Sequence, residues 1–142
     1  MYYFKTFLTN NSIVNDSASF TVRNVFNTNP DINNSGFTVN SSTITVPSGG
    51  LYECMVNCYF TSSVERSNVG VSFEIDGVTQ DEVSASNYIR SGSGHNEAST
   101  HLCSLFTLSS GSTVKLAFAY LGSTGTVTLE GSNSSISLYQ YT

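Results

Sequence analysis

The chain has 142 residues, of which 39% are hydrophobic; this is enough apolar surface for one folded unit, and we predict a single domain over residues 1–142. Its formal net charge is -5, with five Lys and Arg residues against ten Asp and Glu. Because so few cationic side chains could displace counterions from nucleic-acid phosphates, a nucleic-acid partner is excluded. No apolar run approaches the roughly 20 residues of a membrane helix, and the first residues lack the basic and apolar regions of a signal peptide, so we expect no membrane partner.

Apolar and polar residues alternate with period two in segment after segment, which predicts β-strands and no helices. Residues 24–40 and 85–96 are less regular and rich in turn-forming residues. We predict that both are long surface loops.

The clearest alternation lies in residues 50–60, where the even positions are apolar apart from Gly50 and are assigned to the core. The odd positions include Met55 and Tyr59 but also Glu53 and Asn57. This face is too apolar for free solvent and too polar for a core, which is the mixture expected of a protein interface.

The second half of the chain continues the pattern. Alternating apolar residues lead into Asp76-Gly77, a strong hairpin signal because both residues tolerate positive φ. Further apolar positions follow at strand spacing: Leu102, Phe106, Leu108, Val114, Leu116, Phe118, Tyr120, Val127, Leu129, Ile136 and Leu138. Many short strands without helices between them predict an all-β sandwich, and a jelly roll fits their number best.

The residues that could carry chemistry are few. Cys54 and Cys58 lie about 13 Å apart on one predicted strand, too far for a disulfide, so we expect three reduced thiols. Cys103 lies two residues from His101, about 6 to 7 Å between Cα atoms, too far for a nucleophile and its base. The acidic residues near Asp76 match no metal-binding loop. We expect no enzymatic activity, no catalytic residue, no cofactor and no metal.

Residues 44–52, Ile-Thr-Val-Pro-Ser-Gly-Gly-Leu-Tyr, resemble the signature of the tumour necrosis factor and complement globular-head superfamily. In that signature a strand ends in Val-Pro, turns through Gly and re-enters as Gly-Leu-Tyr. Residues 105–116 are similar to the next landmark of the family, and residues 134–139 lie where those domains have their last strand. The resemblance implies a TNF-like jelly roll of two antiparallel sheets, assembled as a homotrimer on a threefold axis.

The resemblance also implies which residues meet at that axis. It places Met55 and His101 where relatives often have interface tyrosines, with Asn57, Tyr59 and Tyr139 beside them. These five residues are the predicted trimer interface, and they include members of the mixed face identified from the alternation alone.

The chain lacks the collagen-like stalk, membrane anchor and paired cysteines of animal members. Its low charge and its roughly 55 Ser, Thr and Asn residues resemble instead structural proteins of bacteriophage particles. We therefore expect a virion protein made in the host cytoplasm, a trimeric capsid cement or decoration protein that binds the capsid or other virion proteins. The first predicted strand starts near Tyr2 with no shaft before it, which favours direct attachment to a shell.

Two alternatives stay open. The chain could be the tip of a phage fibre that binds a host-surface glycan or receptor through residues 24–40 and 85–96. Tyr88 and Arg90 would then be the candidate ligand-loop residues, because Tyr and Arg suit such contacts. A secreted TNF-like ligand is the other alternative, which the missing secretion signal disfavours.

Overall fold

The computed structural model describes residues 2–14, 18–34, 36–90, 93–122 and 125–141, and these residues form mainly β-strands. In chain order the strands are β1 (Tyr3–Phe7), β2 (Asn11–Val14), β3 (Thr21–Val22), β4 (Ile32–Asn33), β5 (Thr38–Val39), β6 (Ile44–Thr45), β7 (Gly50–Ser62), β8 (Ser67–Ile75), β9 (Val78–Ser86), β10 (Glu97–Leu108), β11 (Thr113–Gly122), β12 (Thr126–Leu129) and β13 (Ser135–Tyr141). One turn of 3-10 helix, Gly131–Asn133, precedes β13. The all-β prediction is confirmed.

The strands form two antiparallel sheets. In the first sheet the 13-residue strand β7 pairs with β10 along one side and with β13 and then β12 along the other. Strand β13 continues to β1 and β4, while β12 continues to β2. The second sheet has the order β5-β6-β11-β8-β9, and β3 also pairs with β11. The predicted sandwich of two antiparallel sheets is confirmed.

The alternation of β7 determines which of its faces packs into the core. Its even residues Tyr52, Cys54, Val56, Cys58 and Phe60 are all at most 1% exposed. They meet the core side chains of the second sheet across the sandwich, as where the rings of Phe60 and Phe118 pack edge to face with centroids 6.3 Å apart. The odd residues of β7 therefore point away from the core, as the sequence predicts.

The turn between β8 and β9 is the predicted hairpin. Asp76 has φ of 49° and Gly77 has φ of 83°, so both central residues adopt the left-handed conformation that a type I′ turn requires. The Asp76 carboxylate also accepts hydrogen bonds from the Thr113 N–H at 2.8 Å and the Ser112 hydroxyl at 2.9 Å. These bonds tie the hairpin to the start of β11.

Residues 24–40 were predicted to be a surface loop, and this prediction is wrong in one respect. The segment contains β4 and β5 and buries the side chains of Val25, Phe26 and Phe37. The ring of Phe37 packs against Phe4 at 5.3 Å and against Tyr52 at 6.2 Å between centroids. The segment is irregular in sequence because single aromatic residues, not an alternating face, anchor it to the core.

Residues 85–96 are a loop only in part. Ala85 and Ser86 belong to β9, and the Ile89 side chain is buried, with its backbone bridged to Ser67. Residues 91–92 lie outside the described residues. This segment follows β9 and leads into β10, whereas residues 24–40 pair with β1 and β6 at the other edge of the sandwich. The two segments therefore cannot hold one ligand between them within a protomer.

Candidate assembly face

The outer face of the first sheet has most of the exposed large apolar side chains of the described residues. Five of the eight large apolar side chains that are exposed in the described chain lie on it: Phe7, Ile32, Leu51, Leu105 and Tyr141. The strand register places them on the same side, opposite to the core residues of β1, β4, β7, β10 and β13. We call this outer side of the first sheet the assembly face.

All five residues predicted at the trimer interface lie on the assembly face. On β7, Met55 lies opposite Cys103 of β10, and Asn57 lies opposite His101 of β10. The other two are Tyr59, opposite Ser99 of β10, and Tyr139, which lies between Glu53 of β7 and Tyr3 of β1. The sheet brings them together on three adjacent strands, while their contact with a second copy stays a prediction.

A row of tyrosines crosses one end of the assembly face. The Tyr139 ring packs edge to face with Tyr141 at 5.3 Å and with Tyr3 at 6.2 Å between centroids. The Tyr141 hydroxyl donates a hydrogen bond of 2.9 Å to a Glu53 carboxylate oxygen, and that bond, with the charge of Glu53, raises the pKa of Tyr141. These contacts hold the rings in place before any partner binds.

The other end of the face has a second tyrosine and carboxylate pair. A hydrogen bond to Glu97 raises the pKa of Tyr59, and burial and the charges of Glu97 and Glu130 act in the same direction. Tyr59 is therefore a neutral donor at physiological pH. Its phenol offers an apolar ring with a single polar atom that is already partnered, which suits a protein contact.

The three cysteines lie on opposite faces of the first sheet. Cys54 and Cys58 are buried under the second sheet, and Cys103 is exposed on the assembly face; all three thiols are free. Burial raises the pKa of Cys54 to about 12 and raises that of Cys58 as well. The pKa of Cys103 is also raised, by partial burial and then by the charge of Glu53. None of these thiols is activated as a nucleophile.

Tyr88 and Arg90 lie away from the assembly face. Tyr88 is 61% exposed and borders a surface depression together with Arg66, Asn68 and Leu121. Arg90 does not line this depression, but its carbonyl accepts a hydrogen bond of 3.3 Å from the N–H of Arg66. Arg66 and Asn68 could not be predicted here from the sequence, because they come from a different segment and nothing in their spacing from Tyr88 indicates proximity.

Leu105 and Cys103 are two further members of the assembly face that were not predicted from the sequence. Both have the parity of His101 on β10 and both are exposed. Applying the alternation of β10 to its odd positions would have found them. Within the described ranges, no group of three or more His, Cys, Asp and Glu side chains is placed to hold a metal ion, and no helix has the length and hydropathy to span a membrane.

Solved structures with the same fold were found, although no protein-family model and no curated protein sequence matches the chain. Murine APRIL has a TM-score of 0.65 and 14% identity, covering 99% of this chain and 98% of its own. Eiger TNF from S. frugiperda has a TM-score of 0.64 and 13% identity, covering 100% and 94%. The globular domain of zebrafish complement 1qA protein also has a TM-score of 0.64 and 13% identity, covering 100% and 98%. The chain therefore has the TNF-like jelly-roll fold shared by these proteins.

Proposed function

We propose that the chain is a non-enzymatic structural protein that assembles as a homotrimer through the assembly face. The observation that carries this proposal is the concentration of exposed Phe7, Ile32, Leu51, Leu105 and Tyr141 on one side of one sheet. Exposed apolar side chains gathered on one side of a sheet mark an interaction site. The trimeric assembly that the resemblance to TNF-like domains implies would cover it with copies of itself.

The polar residues of the assembly face support the same proposal. Asn57 is hydrogen-bonded to His101, and Glu53 to Tyr141, within one protomer. A face whose polar groups already have partners loses fewer hydrogen bonds to water when a second copy covers it. The apolar residues around these pairs would then supply most of the association free energy.

We further propose that the trimer is a cement or decoration protein on the capsid of a phage particle. Support comes from the composition, since a surface built from Ser, Thr and Asn with only 11% charged residues resembles phage structural proteins. A role as a secreted ligand is the second candidate, because two of the proteins with the same fold are APRIL and a TNF.

Two measurements test these proposals. Light scattering on the purified chain should give a mass of three protomers, and a monomer at micromolar concentration would contradict the assembly. Electron microscopy of intact phage particles with an antibody against the chain should place label on the capsid. Label on fibres would support the fibre tip instead, and protein found only outside cells and particles would support the secreted ligand.

A further inference from the structure

The outer face of the second sheet has a concave site that the proposed assembly does not use. Its floor crosses three strands, where Gly70 of β8 lies between Ser86 of β9 and Ala119 of β11. These side chains are too small to fill the surface. The Phe20 ring stands beside them, 3.3 Å from where a Cβ on Gly70 would lie. The depression has a volume of about 230 Å³.

A second depression, of about 130 Å³, continues the first. Asn68 and Leu121 border both, and Arg66 and Tyr88 border the second alone. Leu121 is 52% exposed and Tyr88 is 61% exposed, so an apolar side chain and an aromatic ring stand open to solvent here. We call the two depressions together the outer groove.

The polar side chains of the outer groove are free to bind a ligand. Asn68, Ser84 and Ser86 border it, and none of their side chains forms a hydrogen bond within the described residues. An amide group and two hydroxyls can both donate and accept hydrogen bonds. This set matches the hydroxyl groups of a sugar better than it matches an apolar ligand.

Two arginines supply positive charge at one end of the outer groove. Arg66 borders it, and Arg90 is held next to Arg66 by the backbone hydrogen bond described above. Both side chains are exposed and neither forms an ion pair with a described residue. The two lysines of the chain, in contrast, pair with Asp31 and Glu74. In a chain of net charge -5, this end of the groove is locally complementary to an anion.

We propose that the outer groove binds a saccharide residue that carries a carboxylate. The Tyr88 ring and the apolar parts of the floor suit the C–H face of a pyranose ring, while Asn68 and the serines suit its hydroxyls. Arg66 suits the carboxylate through charge-assisted hydrogen bonds. A peptide strand is a poorer occupant, because pairing with the free edge of β9, the last strand of this sheet, would place it in the plane of the sheet and not on its outer face.

This inference does not depend on the trimer. The outer groove and the assembly face lie on opposite sides of the sandwich, so the groove stays open whether the chain is a monomer or a trimer. Saccharide binding would add recognition of a charged glycan to the structural role proposed above. A failure of the saccharide proposal would therefore leave the trimer proposal standing, and a failure of the trimer proposal would leave the saccharide proposal standing.

Galacturonic acid and galactose form a matched pair of probes, because they share a ring and differ in the carboxylate. In a nuclear magnetic resonance titration of the full chain, galacturonic acid should shift the amide signals of Gly70, Ser86 and Ala119. It should bind about tenfold more tightly than galactose. Equal affinities, or no shift at these amides up to the solubility limit of the acid, would overturn the proposal.

Two variants locate the interaction. Arg66→Gln should bring the affinity for galacturonic acid down to that for galactose, whereas Lys115→Gln, which removes the same charge from the same sheet outside the groove, should leave it unchanged. Ser86→Trp should fill the floor and abolish binding of both sugars, with Ser109→Trp in a distant turn as its control. Unchanged binding in Arg66→Gln and Ser86→Trp would show that the sugar binds elsewhere.

Discussion

His101 and Asn57 face each other across β10 and β7, with Nδ1 of His101 2.7 Å from Oδ1 of Asn57. Because an amide oxygen can only accept, Nδ1 is the donor in this bond, and in the neutral imidazole Nε2 is then an acceptor. The central polar pair of the assembly face is thus oriented within one protomer. In the proposed trimer, Nε2 is the atom through which His101 would receive a hydrogen bond from a neighbouring copy.

A charge placed on the assembly face should break the trimer. Met55→Lys would bury an ammonium group against a second copy, and Leu105→Glu would place a second carboxylate opposite Glu53 there. We therefore expect monomers of both variants by light scattering at micromolar concentration. Val78→Lys is the matched control, since Val78 is an exposed apolar residue at the hairpin of the other sheet. A trimer in both face variants would show that association uses another surface.

The core contributions of two phenylalanines should differ. Phe60 is fully buried, so Phe60→Ala should lower the free energy of unfolding by about 3 to 5 kcal/mol. Phe106 is only partly buried, although its ring packs edge to face on Phe73 with centroids 5.6 Å apart, and Phe106→Ala should cost less. Urea melts at one protomer concentration check this, and an equal loss for the two variants would contradict the assigned burial.

The rate at which Cys103 reacts with a thiol reagent should depend on assembly. Cys54 and Cys58 are buried and should react with a disulfide reagent only after unfolding, whereas Cys103 lies on the assembly face. In the trimer neighbouring copies would cover Cys103, so it should react slowly in the parent and quickly in monomeric Met55→Lys. Equally fast reaction of Cys103 in both proteins would place it outside the interface.

Alkaline pH should destabilise the fold through Cys54. Its pKa rises from 9.0 to about 12 on folding, so the unfolded chain loses this proton first. The stabilisation is complete below about pH 9 and is lost as the pH rises toward 12, with roughly 1 kcal/mol lost between pH 8 and pH 10.

Comparison with Cys54→Val isolates this contribution from the other groups that titrate at high pH. The parent should lose roughly 1 kcal/mol more than Cys54→Val when urea melts at pH 8 and pH 10 are compared. A loss of the same size in both proteins would mean that the Cys54 thiol titrates normally in the folded state.

The central strand of the assembly face, β7, could be predicted because its alternation is strict. Every second residue from Tyr52 to Phe60 is apolar, and the parity alone placed Met55 and Asn57 outside the core. Strand β9 could not be found this way, since Val78–Ser86 is mostly polar and is a strand because it pairs with β8. Phe37 was missed for a related reason, as only the packed fold brings it to Phe4 and Tyr52.

The outer groove was beyond prediction from sequence for a different reason. Tyr88 could be singled out as an exposed aromatic residue, but Arg66, Asn68 and Phe20 reach its neighbourhood from segments with no shared motif. Small residues such as Gly70 and Ala119 are ordinary strand residues until three strands align them. A concave surface arises from the register between strands, which a single sequence does not encode locally.

The pairing of β1 with β13 and of β13 with β7 has a consequence for how the protein is made. The edge of β7 is covered only after residues 135–141 have left the ribosome, because these residues lie between β7 and β1. Contacts so distant in sequence slow folding and delay it until these residues have been made. The surface that would join the copies therefore cannot form before residues 135–141 have been synthesised.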